Sequence, residues 1–91
     1  MFAKGHKDGT IRFSLRSPGN AQEVLVAGSF SQWQPLAMKR QRDGSFAVTT
    51  TVPAGVHEYR FIVDGNWTTD PDNASYVLNP YGSANSVAQA A

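Results

Sequence analysis

The stretch that decides the fold is "HEYRFIVDGNWTTDP", His57 to Pro71. Its first half alternates, with Tyr59, Phe61 and Val63 on one side and Glu58 and Arg60 on the other; Ile62 interrupts the polar side. A period of two with one wet face is the pattern of a half-buried strand. Asp64-Gly65 then breaks it, because glycine tolerates positive φ and aspartate is favoured beside it in tight turns. Trp67 follows at once and opens a short returning strand. A large apolar ring just past a turn, among polar residues, needs a reason other than filling a core.

The same period extends through the rest of the chain. In "TIRFSLR", Ile11, Phe13 and Leu15 alternate with Arg12, Ser14 and Arg16. "EVLVAGSF" is apolar on both faces at Val24, Leu25 and Val26, which predicts a strand near the middle of a sandwich. "SFAVTTTV" sets Phe46, Val48 and Val52 against threonines. Pro53-Ala54-Gly55 reads as a short hairpin connection between that run and the next. "DPDNASYVLNPYGSAN" reads as a long irregular stretch, followed by a final short strand over Asn85 to Gln89. Three or four residues at each end are expected to fray. Helix signals are nearly absent. Short alternating runs with turn residues every ten positions or so predict an all-β sandwich or barrel.

Composition narrows the function. The 91 residues are 41% hydrophobic, enough for one compact, packed domain. The formal net charge is +1, with both signs scattered, so the basic stripe of a nucleic-acid binder is missing. Lys39-Arg40 with Arg42 is the nearest candidate and reads as a solvated loop. Cysteine is absent, which excludes disulfides, zinc-thiolate sites and cysteine nucleophiles. No run reaches the roughly 20 apolar residues of a membrane span, and the start lacks a signal-peptide core. The expectation is a soluble, cytoplasmic protein.

Trp33 repeats the setting of Trp67. It lies in "AGSFSQWQPL", after a strand that ends near Gly28. Each tryptophan can be read as a cap on the end of the core. Each can also be read as a sugar platform. A pyranose face is a sheet of weakly positive C–H bonds, and an indole face is flat, rigid and electron-rich. Stacking the two removes apolar area from water, while polar groups at the rim bond the hydroxyls. Gln32, Arg60, Asn66, Thr68, Ser83 and Asn85 are the available rim residues.

Taken in order, a Gly-Ser-Phe-x-x-Trp loop, a Tyr-basic-Phe-x-Val-Asp-Gly-x-Trp hairpin, an Asp-Pro and a Gly-x-x-Asn resemble carbohydrate-binding module family 48. Within that family the chain is most similar to the glycogen-binding domain of the AMP-activated protein kinase β subunit. The early-set domains at the N-termini of isoamylases and glycogen-branching enzymes share the fold. The resemblance covers about residues 10 to 89 and implies an immunoglobulin-like (early-set) antiparallel β-sandwich forming one domain over residues 1–91. It implies binding of α-1,4-glucans such as glycogen, maltooligosaccharides or cyclodextrin-like rings. By motif, Trp33 and Trp67 match the stacking tryptophans, and Arg60 matches a basic residue that bonds hydroxyls. Ser83 and Asn85 match polar residues of the last loop, and Tyr81 matches an apolar residue that inserts into the glucan. Ser31-Gln32-Trp33 replaces Asn-Asn-Trp of the kinase module, and Arg60 replaces its usual lysine, keeping charge but changing donor geometry.

Catalysis is not expected. Hydrolysing a glycosidic bond takes two carboxyl groups across it. Asp43, Asp64, Asp70 and Asp72 read as turn residues and Glu58 as a strand residue pairing across the sheet. His6 and His57 have no nucleophile or metal-ligand pattern beside them. No cofactor or metal is implied. The alternative to glucan binding is a protein-interaction or vestigial early-set domain acting with a separate amylolytic or glycogen-metabolising enzyme.

Overall fold

A computed structural model describes residues 1–16, 21–80 and 82–90. The alternating runs form strands whose apolar faces meet. In chain order these are β1 (Phe2–Lys4), β2 (Thr10–Leu15), β3 (Val24–Gly28), β4 (Leu36–Ala37), β5 (Lys39–Arg40), β6 (Phe46–Thr51), β7 (Gly55–Val63), β8 (Asn66–Thr68), β9 (Tyr76–Leu78) and β10 (Ala84–Ala90). A single 3-10 turn, Ser29–Ser31, follows β3. One sheet has the order β1-β2-β6-β5 and the other β4-β3-β7-β10-β9, with β8 also on β7. Neighbouring strands in both pair antiparallel. This is the all-β antiparallel sandwich.

Its core lies between the sheets. Ile11, Phe13, Leu15 and Phe46 from the first meet Val24, Val26, Tyr59, Phe61 and Ala88 from the second. The rings of Phe13 and Tyr59 touch across the gap, 4.9 Å between centroids, and Phe61 sets its edge on Tyr59 at 5.7 Å. Such tilted contacts are the favoured aromatic geometry. Phe30, on the 3-10 turn, stacks on Phe13 at 5.1 Å and closes one end of the core.

Several boundaries differ from the sequence reading. β3 is one strand in from the edge rather than central, with the two-residue β4 outside it. Pro53-Ala54-Gly55 is not a hairpin connection. It carries the chain from β6 in one sheet to β7 in the other. Val52 is buried there, its N–H bonded to the Gly9 carbonyl at 2.8 Å, so the chain leaves β6 already turned inward. The N-terminal residues pair as β1 on β2, with Phe2 set edge-on against Tyr59. The stretch expected to be irregular contains β9, and the last strand begins one residue earlier and ends one later than expected.

β7 is the spine that positions the outer face. β3 pairs along Tyr59–Val63 on one edge. On the other edge β10 pairs with Gly55–Tyr59 and β8 with Phe61–Val63. The Asp64-Gly65 turn has φ of 47° and 85°, both positive as a two-residue type I′ hairpin requires. Asp64 does more than turn. Its Oδ1 accepts from the N–H groups of Gln22 and Glu23 at 3.0 and 2.8 Å, and its own N–H donates to the Glu23 carbonyl. The hairpin is thereby fastened to the start of β3.

A buried polar cluster ties β7 to β10. The Tyr59 hydroxyl donates to Asp70 Oδ2 at 2.5 Å and accepts from Asn73 Nδ2 at 3.0 Å. Asn73 also donates to the Val87 carbonyl, and Asp70 N–H donates to Ser86 Oγ. The Met1 amino group pairs with the same Asp70 oxygen. Burial first, then the bond to Asp70, pushes the Tyr59 phenol far above its ordinary value of 10.0.

Candidate functional site

The outer face of the six-stranded sheet supplies the site. Residues at alternate positions of β7, Glu58, Arg60 and Ile62, point away from the core there. Ile62, which interrupted the polar pattern, pairs directly with Trp67 across β7 and β8 and is buried. It is an apolar bed for the indole. Arg60 pairs with Ala27, a fully buried residue whose single methyl leaves room for a guanidinium above it.

Trp33 reaches the same face from the loop after β3. Gly28 makes the loop possible. A Cβ on it would stand 2.6 Å from the Glu58 carbonyl oxygen and 2.4 Å from the Phe30 ring. The Gly28 carbonyl accepts from Trp33 N–H at 2.8 Å. The Ser31 hydroxyl bridges the same loop, lying 3.1 Å from the Gly28 carbonyl and 3.0 Å from that of Gln34. Gln32 and Trp33 are both left-handed, with φ of 55° and 61°. For a bulky non-glycine residue that conformation is an outlier that the surrounding contacts must hold.

The two indoles end 6.5 Å apart, their planes inclined at 47°. Trp67 is 47% exposed and Trp33 37%. Neither is therefore only a core cap. Between and beside them is a shallow concavity of about 640 Å³, lined by the tryptophans with Ser29, Glu58, Arg60, Asn79, Pro80 and Asn85. Arg60 is held over Trp67: its Cζ lies 5.8 Å from the ring centroid and its Nη2 donates to the Trp67 carbonyl at 3.4 Å. Its Nε–H is buried without an acceptor. Asn85 is nearly buried and donates from Nδ2 to Glu58 Oε1 at 3.0 Å.

Four of the six residues singled out from sequence, Trp33, Trp67, Arg60 and Asn85, therefore share one concavity. Ser83 stands in the neighbouring turn, its N–H bonded to Asn79 Oδ1 at 3.0 Å, and does not line the surface. Tyr81 lies outside the described residues. Gln32, Asn66 and Thr68 do not line it either. Glu58, Asn79, Pro80 and Ser29 were missed. Glu58, read as a strand residue pairing across the sheet, does so: its partner is Asn85 on the neighbouring β10. Ser29 accepts from Glu58 N–H at 3.1 Å and lies 3.3 Å from His57 Nδ1. His57 Nε2 donates to the Pro53 carbonyl, so in the neutral imidazole Nδ1 is the acceptor for the Ser29 hydroxyl.

A concavity of similar volume, about 670 Å³, lies by the four-stranded sheet among Arg12, Arg16, Arg42, Asp43 and Asp72. None of the described residues lining it is aromatic. Among the described residues the aromatic concavity is lined by one cation and one anion, Arg60 and Glu58, an arrangement suited to a neutral polyhydroxyl ligand. Glu58 is the one carboxylate among the described residues lining it, whereas hydrolysis by paired carboxylates needs two.

The sequence family described as the glycogen recognition site of AMP-activated protein kinase matches residues 11–90. The chain belongs to that family. As a member of the glycogen-recognition family it is similar to 5'-AMP-activated protein kinase subunit beta-1 of Sus scrofa, 36% identical over 75 residues, covering 82% of this chain and 60% of that protein. The Arabidopsis thaliana protein named "Protein PTST homolog 2, chloroplastic" is 42% identical over 59 residues, 64% of this chain and 11% of that one. The chain spans less than two thirds of the length of these relatives. Among solved structures, a maltogenic amylase from S. marinus superimposes with a TM-score of 0.75 at 18% identity, over 90% of this chain and 13% of that one. At such identity the likeness concerns the fold alone.

Proposed function

We propose that residues 1–91 act as one non-catalytic module that binds α-1,4-linked glucans at the concavity between Trp33 and Trp67. The observation that carries the reading is the pair of exposed indoles, 6.5 Å apart and inclined at 47°, with donors and acceptors at their rim. Inclined platforms suit a chain that curves between successive sugars, as α-1,4-glucans do. A straight, flat β-1,4 ribbon cannot lie on both at once. Membership of the glycogen-recognition family supports the same ligand class.

Within the site Trp33 and Trp67 stack on pyranose faces, and Arg60 and Asn85 bond hydroxyls. By the family motif, Ser83 and Tyr81 are assigned to the rim of the site. By analogy with bases stacked on aromatic side chains, each ring contributes about 1–3 kcal/mol. A surface this shallow gives monovalent affinity of about micromolar to millimolar. Branched glycogen gains on short oligomers through avidity when several modules act together. A glycogen-metabolising enzyme is the proposed companion and the cytoplasm the proposed compartment.

Isothermal titration with maltoheptaose tests this. Trp67→Ala weakens binding by about tenfold or more, with an unfolding midpoint close to the wild type because the ring is half exposed. Unfolding of the variant, or undiminished binding by a folded one, counts against the assignment.

A further inference from the structure

We propose that Glu58 is a positioning residue of the glucan site, one that fixes the side-chain amide of Asn85 so that its carbonyl oxygen faces the ligand. The inference rests on the glucan-binding reading and adds a determinant to it.

Asn85 Nδ2 lies 3.0 Å from Glu58 Oε1. A carboxylate offers acceptors only, so the amide nitrogen must be the atom facing it. Oδ1 is then turned away from Glu58. Without that partner the two ends of an asparagine amide are nearly equivalent in shape, and either orientation can be adopted. Asn85 is only 7% exposed, so its orientation is decided by such neighbours rather than by bulk water. Glu58 is itself held: its N–H donates to Ser29 Oγ, and Ser29 is held by His57.

The neighbouring cation does not compete for the carboxylate. Arg60 lies two positions along β7 on the same face, and the ion pairs among the described residues are Met1–Asp70 and Lys4–Asp8. Alternate residues of a strand are about 7 Å apart. The guanidinium instead rests on Trp67. The polar end of the site is thereby sorted into an acceptor, Asn85 Oδ1, and donors, from Arg60. That sorting suits sugar hydroxyls, which donate and accept in alternation.

The test compares wild type, Glu58→Gln, Glu58→Ala, Asn85→Ala and the Glu58→Ala/Asn85→Ala double variant by titration with maltoheptaose, with Trp67→Ala as the site control. Glutamine is nearly isosteric with glutamate but can present either N–H or C=O to Asn85. Both Glu58 variants are expected to weaken binding, by about three- to tenfold for the loss of one oriented hydrogen bond. The loss is expected to vanish when Asn85 is already alanine. In the unliganded protein, the side-chain amide resonances of Asn85 are expected to shift in Glu58→Gln at unchanged thermal midpoint, which a purely structural role would not produce. A Glu58→Ala loss that persists in the Asn85→Ala background, or full affinity in Glu58→Ala, overturns the inference alone. Absence of maltoheptaose binding in the wild type overturns the glucan reading as well.

Discussion

Trp67 packs beside Ile62, which the register places directly opposite it on the neighbouring strand and which is itself buried. Ile62, the apolar residue following Glu58 and Arg60 on that strand face, is thus the counterpart of a tryptophan that the core does not use. Trp33 depends on a different residue, Gly28. Its missing Cβ lets the Glu58 carbonyl and the Phe30 ring close in, and its carbonyl receives Trp33 N–H. Gly28→Ala is expected to cost about 1–3 kcal/mol by overpacking, read by urea denaturation. It should also weaken maltoheptaose binding, since the loop that presents Trp33 must shift. Wild-type stability in that variant would show that the close approach can relax freely. The tryptophans were legible from their polar settings, and Arg60 and Asn85 from the ordered family motif; residue types alone offered Gln32, Asn66 and Thr68 equally, and these do not line the concavity. Glu58 was not, because its partner lies 27 positions away, on a strand whose register the sequence leaves open.

At the level of elements, the β7–β8 hairpin carries the site. Its turn was readable from Asp64-Gly65, whose positive φ values match what that dipeptide favours. What the dipeptide does not reveal is the grip of the Asp64 carboxylate on the N–H groups of Gln22 and Glu23. Asp64→Ala removes the oxygen that accepts from both N–H groups and leaves a residue less tolerant of left-handed φ. A loss of about 1–3 kcal/mol is expected, with weaker glucan binding because the hairpin bearing Trp67 loses its tether to β3. Unchanged stability would mean that those N–H groups find other acceptors. The Pro53-Ala54-Gly55 connection shows the opposite limit. Hairpin loops and sheet-to-sheet corners use the same residues, and only the pairing partners of β6 and β7 separate them. β9 was hidden likewise, three residues among turn formers that become a strand only because β10 runs beside them.

Across the whole molecule, the sandwich is joined by the aromatic core and by the buried cluster of Tyr59, Asp70, Asn73 and Ser86. The cluster sets an alkaline limit. The Tyr59 phenol titrates above its ordinary 10.0 in the folded protein, chiefly through burial and then through its bond to Asp70. Its contribution to stability is complete below pH 10. Above that the unfolded chain sheds the proton first, so stability falls as pH rises. Chemical denaturation between pH 9 and 11.5 should show this decline, and Tyr59→Phe should flatten it. The same variant should be about 1–3 kcal/mol less stable at neutral pH, because Asp70 and Asn73 lose a buried partner. A decline that persists in Tyr59→Phe would assign it elsewhere. The alternation of Phe13, Tyr59 and Phe61 made the sandwich legible, but nothing in it marked Tyr59 as the one core ring needing a polar partner at each side.

The central claim is that the inclined indoles form a platform for an α-linked glucan. Titrating intrinsic tryptophan fluorescence with maltoheptaose, with cellohexaose as control, tests it most directly, since both reporters are the proposed contacts. A saturable change with maltoheptaose alone, lost in Trp67→Ala, is the predicted result. No change up to tens of millimolar, about the weak limit of the expected affinity, or an equal response to cellohexaose, would contradict it.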